Sequence, residues 1–338
     1  MDTLTLSFLL VIFASIFQGS FGLGMKFMAP LKWEAWWLVH STFALILLPT
    51  TWAYLVVPDL FEVVTSAPSD VIIEAMIYGG LWGIGGILFG KSVPYIGISL
   101  TYGIVMGVCS AAGALIPLFT NEGETDKPSF PYVIMGVLIM MVAIAITAYA
   151  GIQKDKLTKA DENTEKVNLP LGLIIAVLSG LLSAALAIGF GKGEAIGKLA
   201  EASGAIARNG SLAIWVVVLW GGFVVNAGYS LFLLAKNNTW NSYSTPNATK
   251  AYLWSIGAAI LWFGALGIYG QGATLMGDIG KIIAWPIMLG LSLIVGNVWA
   301  YTNNEWEGAK KPFSILLFGV FVLIIAVIIT GYSGTLNN

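Results

Sequence analysis

The chain is short of charge. Only 10% of its 338 residues are charged, where an ordinary soluble domain carries about 25%. That is too few ionic side chains to cover a water-soluble surface. Cysteine is nearly absent, and a lone Cys109 excludes a disulfide framework and a thiolate metal cluster. His40 is the single histidine, which excludes a multi-histidine zinc site. There is no basic excess. A net charge of -2 offers nothing to neutralise a nucleic acid backbone. No phosphate-binding loop is present, and one His with one Cys makes no credible nucleophile pair. Neither an enzyme nor a metal or other cofactor is expected. What the chain has in abundance is apolar surface: 57% hydrophobic residues and 40 glycines, with a mean hydropathy of +0.84.

A transmembrane helix needs about 20 mainly apolar residues. Ten such stretches occur, at 3–23, 35–57, 72–91, 95–119, 131–151, 169–190, 211–235, 250–271, 280–301 and 313–332. Their apolar runs are continuous rather than alternating, so they read as helices and not barrel strands. The first lacks the basic start of a signal peptide, since Asp2 is its only early charge, and is read as a span. A very short turn around Ser92-Val93-Pro94 is expected between the third and fourth spans. Residues 192–208 have helical spacing and mixed charge, which predicts a short surface helix. The expected fold is all-α and integral to the membrane.

Lys and Arg set the orientation. With the N-terminus outside, cytoplasmic loops hold Lys26, Lys32, Lys91, Lys154, Lys156, Lys159, Lys166, Lys236, Lys250, Lys310 and Lys311. The outer side holds Lys127, Lys192, Lys198, Arg208 and Lys281. Both termini are therefore expected outside, which in a bacterial inner membrane is the periplasm.

An internal repeat agrees with ten spans. Leu81-Trp82 recurs as Leu261-Trp262, and Gly97 recurs as Gly277, both at an offset of 180. Trp82 and Trp262 then hold the same place in two five-helix halves. An odd helix number inverts the second half, a recurrent transporter plan with its binding site between repeats. The expected organisation is a first repeat over 1–151, a cytoplasmic linker over 152–168 and a second repeat over 169–338. The glycines of the third span, Gly79, Gly80, Gly83, Gly85 and Gly86 among them, read as a close-packed helix seam.

Several stretches, in order, resemble one family. They are residues 26–34 (KFMAPLKWE) with Trp37 and Leu47-Leu48-Pro49, then Trp82-Gly83-Ile84-Gly85, Phe89-Gly90, Tyr95, Gly97 and Ser99. Further along come Gly221-Gly222, Asn226, Gly228 and Leu234-Ala235-Lys236, and finally Gly272, Trp285, Glu305-Trp306 and Lys310-Lys311-Pro312. This series resembles the bacterial L-rhamnose–proton symporter family of the drug/metabolite transporter superfamily. The resemblance implies ten helices in two inverted halves and proton-driven sugar uptake by alternating access. The sequence departs from the family pattern at Gly86, Pro94 and Gly280-Lys281-Ile282, where the family carries polar residues. Export of a drug or metabolite, or uncoupled passage of another small metabolite, is the alternative within the superfamily.

A sugar site needs aromatic faces for C–H surface and polar groups for hydroxyls. Polar residues inside spans are costly and so are candidates. For the substrate these are Trp82, Tyr95, Ser99, Tyr102, Asn226, Trp262 and Gln271. Each also has a structural reading, as a helix–helix wedge, an interhelical hydrogen bond or an interfacial anchor. Tyr95, Ser99 and Tyr102 are spaced by four and three, which places them on one face of the fourth span. For proton coupling the candidates are His40, Glu74 and Asp278. Trp33, Trp36, Trp37, Trp240 and Trp306 lie near span ends and read as interfacial belt residues. The expected partners are a small sugar, protons and the lipid bilayer.

Overall fold

The computed structural model describes residues 2–158 and 168–336. All regular structure among them is helical, and ten helical segments are long and apolar enough to cross a membrane. In chain order the helices are α1 (Thr3–Ser20), α2 (Trp33–Ser41), α3 (Leu48–Val56), α4 (Leu60–Ser66), α5 (Ser69–Ile96), α6 (Ile98–Thr120) and α7 (Phe130–Thr158). After these come α8 (Leu169–Lys192), α9 (Glu194–Ala202), α10 (Gly210–Asn237), α11 (Thr249–Leu275), α12 (Asp278–Thr302) and α13 (Lys310–Ser333).

Every expected span has its helix, with two local surprises. The first span ends in a tight 3₁₀ segment, Phe21–Phe27. The second is interrupted by a π segment, Thr42–Leu47, lying between α2 and α3. Such widened turns are uncommon and cluster at functional sites. The short helix expected within 192–208 is α9. Its Ile196, Gly197 and Ala200 are buried, while Glu194 and Lys198 pair at 2.7 Å on its outer side. The linker expected over 152–168 falls mostly outside the described residues. Its first part, up to Thr158, simply continues α7.

The turn between the third and fourth spans is not where the sequence placed it. Helix α5 runs through Pro94 to Ile96. Proline costs one helical hydrogen bond, yet the chain reverses only at Gly97, whose φ is +77. That backbone region is easy for glycine and strained for other residues. Tyr95 therefore belongs to α5, while Ser99 and Tyr102 belong to α6. The single face expected for the three residues does not exist.

The chain forms two compact units, and each draws helices from both sequence halves. The first comprises Met1–Gly83 and Leu186–Gly277. In it α1 lies along α11. A Cβ on Gly272 would press on the Ser7 carbonyl, and one on Gly264 on the Phe17 ring. Helix α10 is its axis, with every residue from Gly210 to Leu219 buried. Helices α5 and α10 meet backbone to backbone. A Cβ on Gly79 would collide with the Val218 carbonyl, and a Cβ on Gly221 with that of Met76. The expected glycine seam is thus present at Gly79 and Gly83 but does not include Gly86, where a Cβ would meet nothing within 4 Å. Apolar burial gives little drive between helices in lipid, so this close approach is what holds them.

The second unit comprises Ile84–Ala185 and Asp278–Asn338. Helices α7 and α13 pack through Gly136 against Thr330 and Gly319 against Thr147. Met140, Ala143, Ile144, Leu293, Leu323 and Ala326 form a core beside them. Gly113 of α6 accepts the Trp285 ring of α12.

Candidate functional site

The first unit holds a run of aromatic rings around one polar side chain. Helix α2 begins it. Trp33, Trp37 and His40 are spaced by four and three, so they share a face. Trp33 and Trp37 stack with centroids 5.6 Å apart, and Trp37 and His40 at 4.9 Å. Trp36, completely buried, covers the imidazole from another side, nearly parallel at 7° and 5.4 Å. Phe21, from the 3₁₀ segment, stands 6.4 Å from the same ring.

Helix α11 continues the run. Trp262 meets His40 edge-on at 6.4 Å and stacks on Trp82 of α5 at 5.1 Å. The two tryptophans at equivalent repeat positions are therefore in contact. Offset-stacked and edge-to-face pairs of this kind are worth roughly 0.5–1.5 kcal/mol each beyond the area they bury. Trp82, Trp33 and Trp37 are half-buried, while Trp262 is buried.

Asn226 of α10 supplies the polar centre. It is 4% exposed. Its Oδ1 accepts from Trp37 Nε1–H at 2.9 Å, and its Nδ2 donates to the Gly222 carbonyl at 2.9 Å. Gly83 lies beside it, since a Cβ there would fall 3.0 Å from Asn226 Nδ2. Helices α2, α5, α10 and α11, two from each sequence half, thus contribute to one cluster.

Several buried polar atoms of this unit have no hydrogen-bond partner among the described residues. They include Gln18 Oε1, Trp36 Nε1, His40 Nδ1, Ser41 Oγ and Ser230 Oγ. Native interiors leave few such groups, and these lie on α1, α2 and α10. Gln271 is half-buried and its Nε2 donates to the Gly267 carbonyl at a long 3.4 Å.

The other candidates lie elsewhere. Tyr95, Ser99 and Tyr102 fall in the second unit. Ser99 donates to Asp155 at 2.7 Å, and Tyr102 meets Phe89 edge-on at 6.2 Å. That unit also has a groove of about 400 Å³, lined by Gly103, Gly107, Ile144, Ala148 and Tyr149 among others. Its lining is apolar apart from Tyr149 and offers a sugar little to bond. Glu74 is exposed and paired with Lys192 at 3.6 Å. Asp278 is exposed and paired with Lys281 at 3.1 Å. Of the three proton candidates, only His40 is buried.

Sequence reasoning passed over two features. Trp33, Trp36 and Trp37, which their place near a span end marks as interfacial, instead build the aromatic run. The spacing of 33, 37 and 40 was the available signal. Glu34 stands out in the sequence only as part of the family-like stretch. It is 7% exposed, and its Oε1 accepts from Thr239 Oγ1 at 2.6 Å and Asn237 Nδ2 at 3.1 Å. It ties the start of α2 to the end of α10. Nearby, Tyr243 donates to the Ala35 carbonyl at 3.3 Å. Burial, then Tyr252 and Glu34, push its phenol up to about 12, so it remains a donor at neutral pH.

The family model described as L-rhamnose-proton symport protein matches residues 2–335. The L-rhamnose-proton symporter of Yersinia pestis (strain Pestoides F) is 27% identical over 320 residues, covering 90% of this chain and 92% of the relative. The protein of the same name from Yersinia pseudotuberculosis serotype O:1b (strain IP 31758) gives the same figures.

Proposed function

The chain belongs to the L-rhamnose–proton symport protein family, and from that premise we propose that it imports a monosaccharide, L-rhamnose or a close relative, together with protons. The observation that carries the site assignment is the aromatic run joined to Asn226. A deoxysugar has an apolar C–H face and a set of hydroxyls. The faces of Trp82 and Trp262 suit the first, and Asn226, Gln271 and the unpartnered oxygens of Gln18, Ser41 and Ser230 suit the second. A bound hydroxyl would partner buried groups that otherwise bear the full cost of desolvation.

Transport proceeds by alternating access, with the site exposed to one side at a time. The protein acts in the bacterial inner membrane with both termini in the periplasm, a placement supported by eleven of its 16 Lys and Arg residues falling in the assigned cytoplasmic loops. The first five-helix repeat is 1–151 and the second 169–338.

The exposed positions of Glu74 and Asp278 favour a second reading, uncoupled facilitation or export of another metabolite. The test is sugar-induced alkalinisation of a lightly buffered suspension of energy-depleted cells expressing the chain. L-rhamnose, or one other sugar of a panel, raises the external pH if the symport reading is right. Silence across the panel, with the protein present in the membrane, overturns it. Sugar counterflow without alkalinisation establishes the uncoupled reading instead.

A further inference from the structure

Coupled transport needs a group that takes up a proton on one side of the membrane and releases it on the other. It must be shielded from the lipid and linked to the substrate site. We infer that His40 is that group, and that its aromatic enclosure is the device that couples proton to sugar. The inference rests on the symport reading above.

Several features meet at His40. It is the chain's only histidine, it is 3% exposed, and it lies within the second span. A titratable group in such a place is costly and is a functional candidate by default. Its Nδ1 has no hydrogen-bond partner among the described residues. The nitrogen is thus left open to receive a proton, while the ring is held by a hydrogen bond to the Ser255 backbone. Its ring lies against the faces of Trp36 and Trp37, with centroids at 5.4 and 4.9 Å. Indole faces attract a cation within about 6 Å. The enclosure can therefore hold an imidazolium with no carboxylate beside it.

The link to substrate is direct. Trp37 touches His40 with its face and donates to Asn226 with its Nε1–H. Trp262 touches His40 with its edge and stacks on Trp82. Two of the imidazole's neighbours are therefore also members of the proposed sugar site. A sugar that moves either indole changes the surroundings of the imidazole. A proton on the imidazole changes the hold on both indoles. By linkage the two effects are equal in free energy. The π segment beginning at Thr42, just beyond His40, gives α2 a place to adjust.

The proton balance is simple. An N–H bond forms at Nδ1 with a proton from external water, while the sugar binds. The same bond breaks on the inner side, and the proton leaves to water with the sugar. The sugar is neutral, so one positive charge moves inward per sugar. Nothing is oxidised or reduced.

The other titratable groups on or packed against α2 are known. Glu34 lies on α2 itself and Lys32 just before it. Tyr229 and Lys236 lie on α10, Lys250, Tyr252 and Tyr269 on α11, Tyr243 on the 240–244 turn, and Lys26 on the 3₁₀ segment whose Phe21 faces the imidazole. Lys236 lies over the Phe232 ring and Lys250 over the Phe27 ring. Glu34 is held by Asn237 and Thr239.

The experiment compares two activities of the full-length protein in membranes. One is L-rhamnose counterflow with no proton gradient. The other is rhamnose-induced alkalinisation, followed as a function of external pH. The variant His40→Phe keeps an aromatic ring against Trp36 and Trp37 but cannot take a proton. His40→Gln keeps polarity in place of the ring. The expected result is counterflow within about threefold of the parent in His40→Phe, alkalinisation reduced by about tenfold or more, and counterflow independent of pH. His40→Gln repeats the loss of alkalinisation. Retained alkalinisation with the parent's pH profile in either variant overturns the inference and leaves the symport reading standing. Loss of counterflow in both variants, with normal amounts in the membrane, also overturns it, because His40 then serves binding or packing. A parent protein that shows counterflow without alkalinisation has no proton to assign, and one that shows neither brings down the sugar reading itself.

Discussion

Trp37 Nε1–H donates to Asn226 Oδ1 across 2.9 Å, joining residues 189 positions apart in sequence. This bond fixes the edge of the aromatic run to the polar centre of the site. It also gives the buried amide of Asn226 a partner that a substrate hydroxyl can share, since the carbonyl oxygen has two lone pairs.

Removing that donor while keeping the ring isolates its contribution. Trp37→Phe is expected to raise the KM for L-rhamnose about tenfold, the equivalent of a single buried hydrogen bond of roughly 1.4 kcal/mol. Asn226→Ala removes both faces of the amide and is expected to cost about 100-fold in kcat/KM. Initial rates of labelled rhamnose uptake, corrected for protein in the membrane, read both. Equal uptake by Asn226→Ala and the parent removes Asn226 from the site.

The stacked pair makes a different prediction. Trp82→Phe and Trp262→Phe keep an aromatic face and should stay within about threefold of the parent in kcat/KM, whereas either alanine variant should lose about tenfold. The double alanine variant is expected to lose less than the product of the two, because the rings touch and their contributions are not independent. Strict multiplicativity would mean that the two indoles serve separate purposes.

The glycine seam predicts a contrast in stability rather than in transport. Gly79→Ala and Gly221→Ala drive a methyl group into a facing carbonyl and should destabilise the protein by about 1–3 kcal/mol. Gly86→Ala is the control, since a Cβ there meets nothing within 4 Å. Thermal unfolding in detergent, with identical lipid and detergent for each variant, separates them. A Gly79→Ala protein as stable as the parent would contradict the packing described for α5 and α10.

Glu34 predicts an effect at the end of the helices. Its carboxylate holds Asn237, the last residue of α10, and Thr239 just beyond it. Glu34→Ala leaves both donors without their acceptor and should cost about 1–3 kcal/mol. Glu34→Gln retains one oxygen in the same place and should cost less. Limited proteolysis of the 237–249 loop is the local readout, with faster cleavage expected in Glu34→Ala.

Much of this molecule was legible in its sequence, for a physical reason. A bilayer demands long apolar runs, and ten such runs stand out whatever else the chain does. The cost of polar groups in lipid likewise pointed to Asn226 and His40, and the 180-residue offset paired Trp82 with Trp262. Backbone irregularities were harder to read. Pro94 looked like the end of a helix, but the chain needed a left-handed residue to reverse, and that was Gly97. Tyr95 was placed on the wrong helix as a result. The π segment at Thr42–Leu47 has no sequence signature, because a widened turn depends on neighbouring helices. Trp33, Trp36 and Trp37 were read as belt residues because tryptophan near a span end usually is one. Only the packing of α2 against α10 and α11 turned them inward.

The most direct test of the account uses purified protein in liposomes with an imposed inward proton gradient. Labelled L-rhamnose, or the sugar identified by the panel, should accumulate above its external concentration. A protonophore should abolish the accumulation while leaving sugar exchange intact. Equilibration that never exceeds the external concentration, unchanged by the gradient or its collapse, would contradict proton-coupled sugar uptake by this protein.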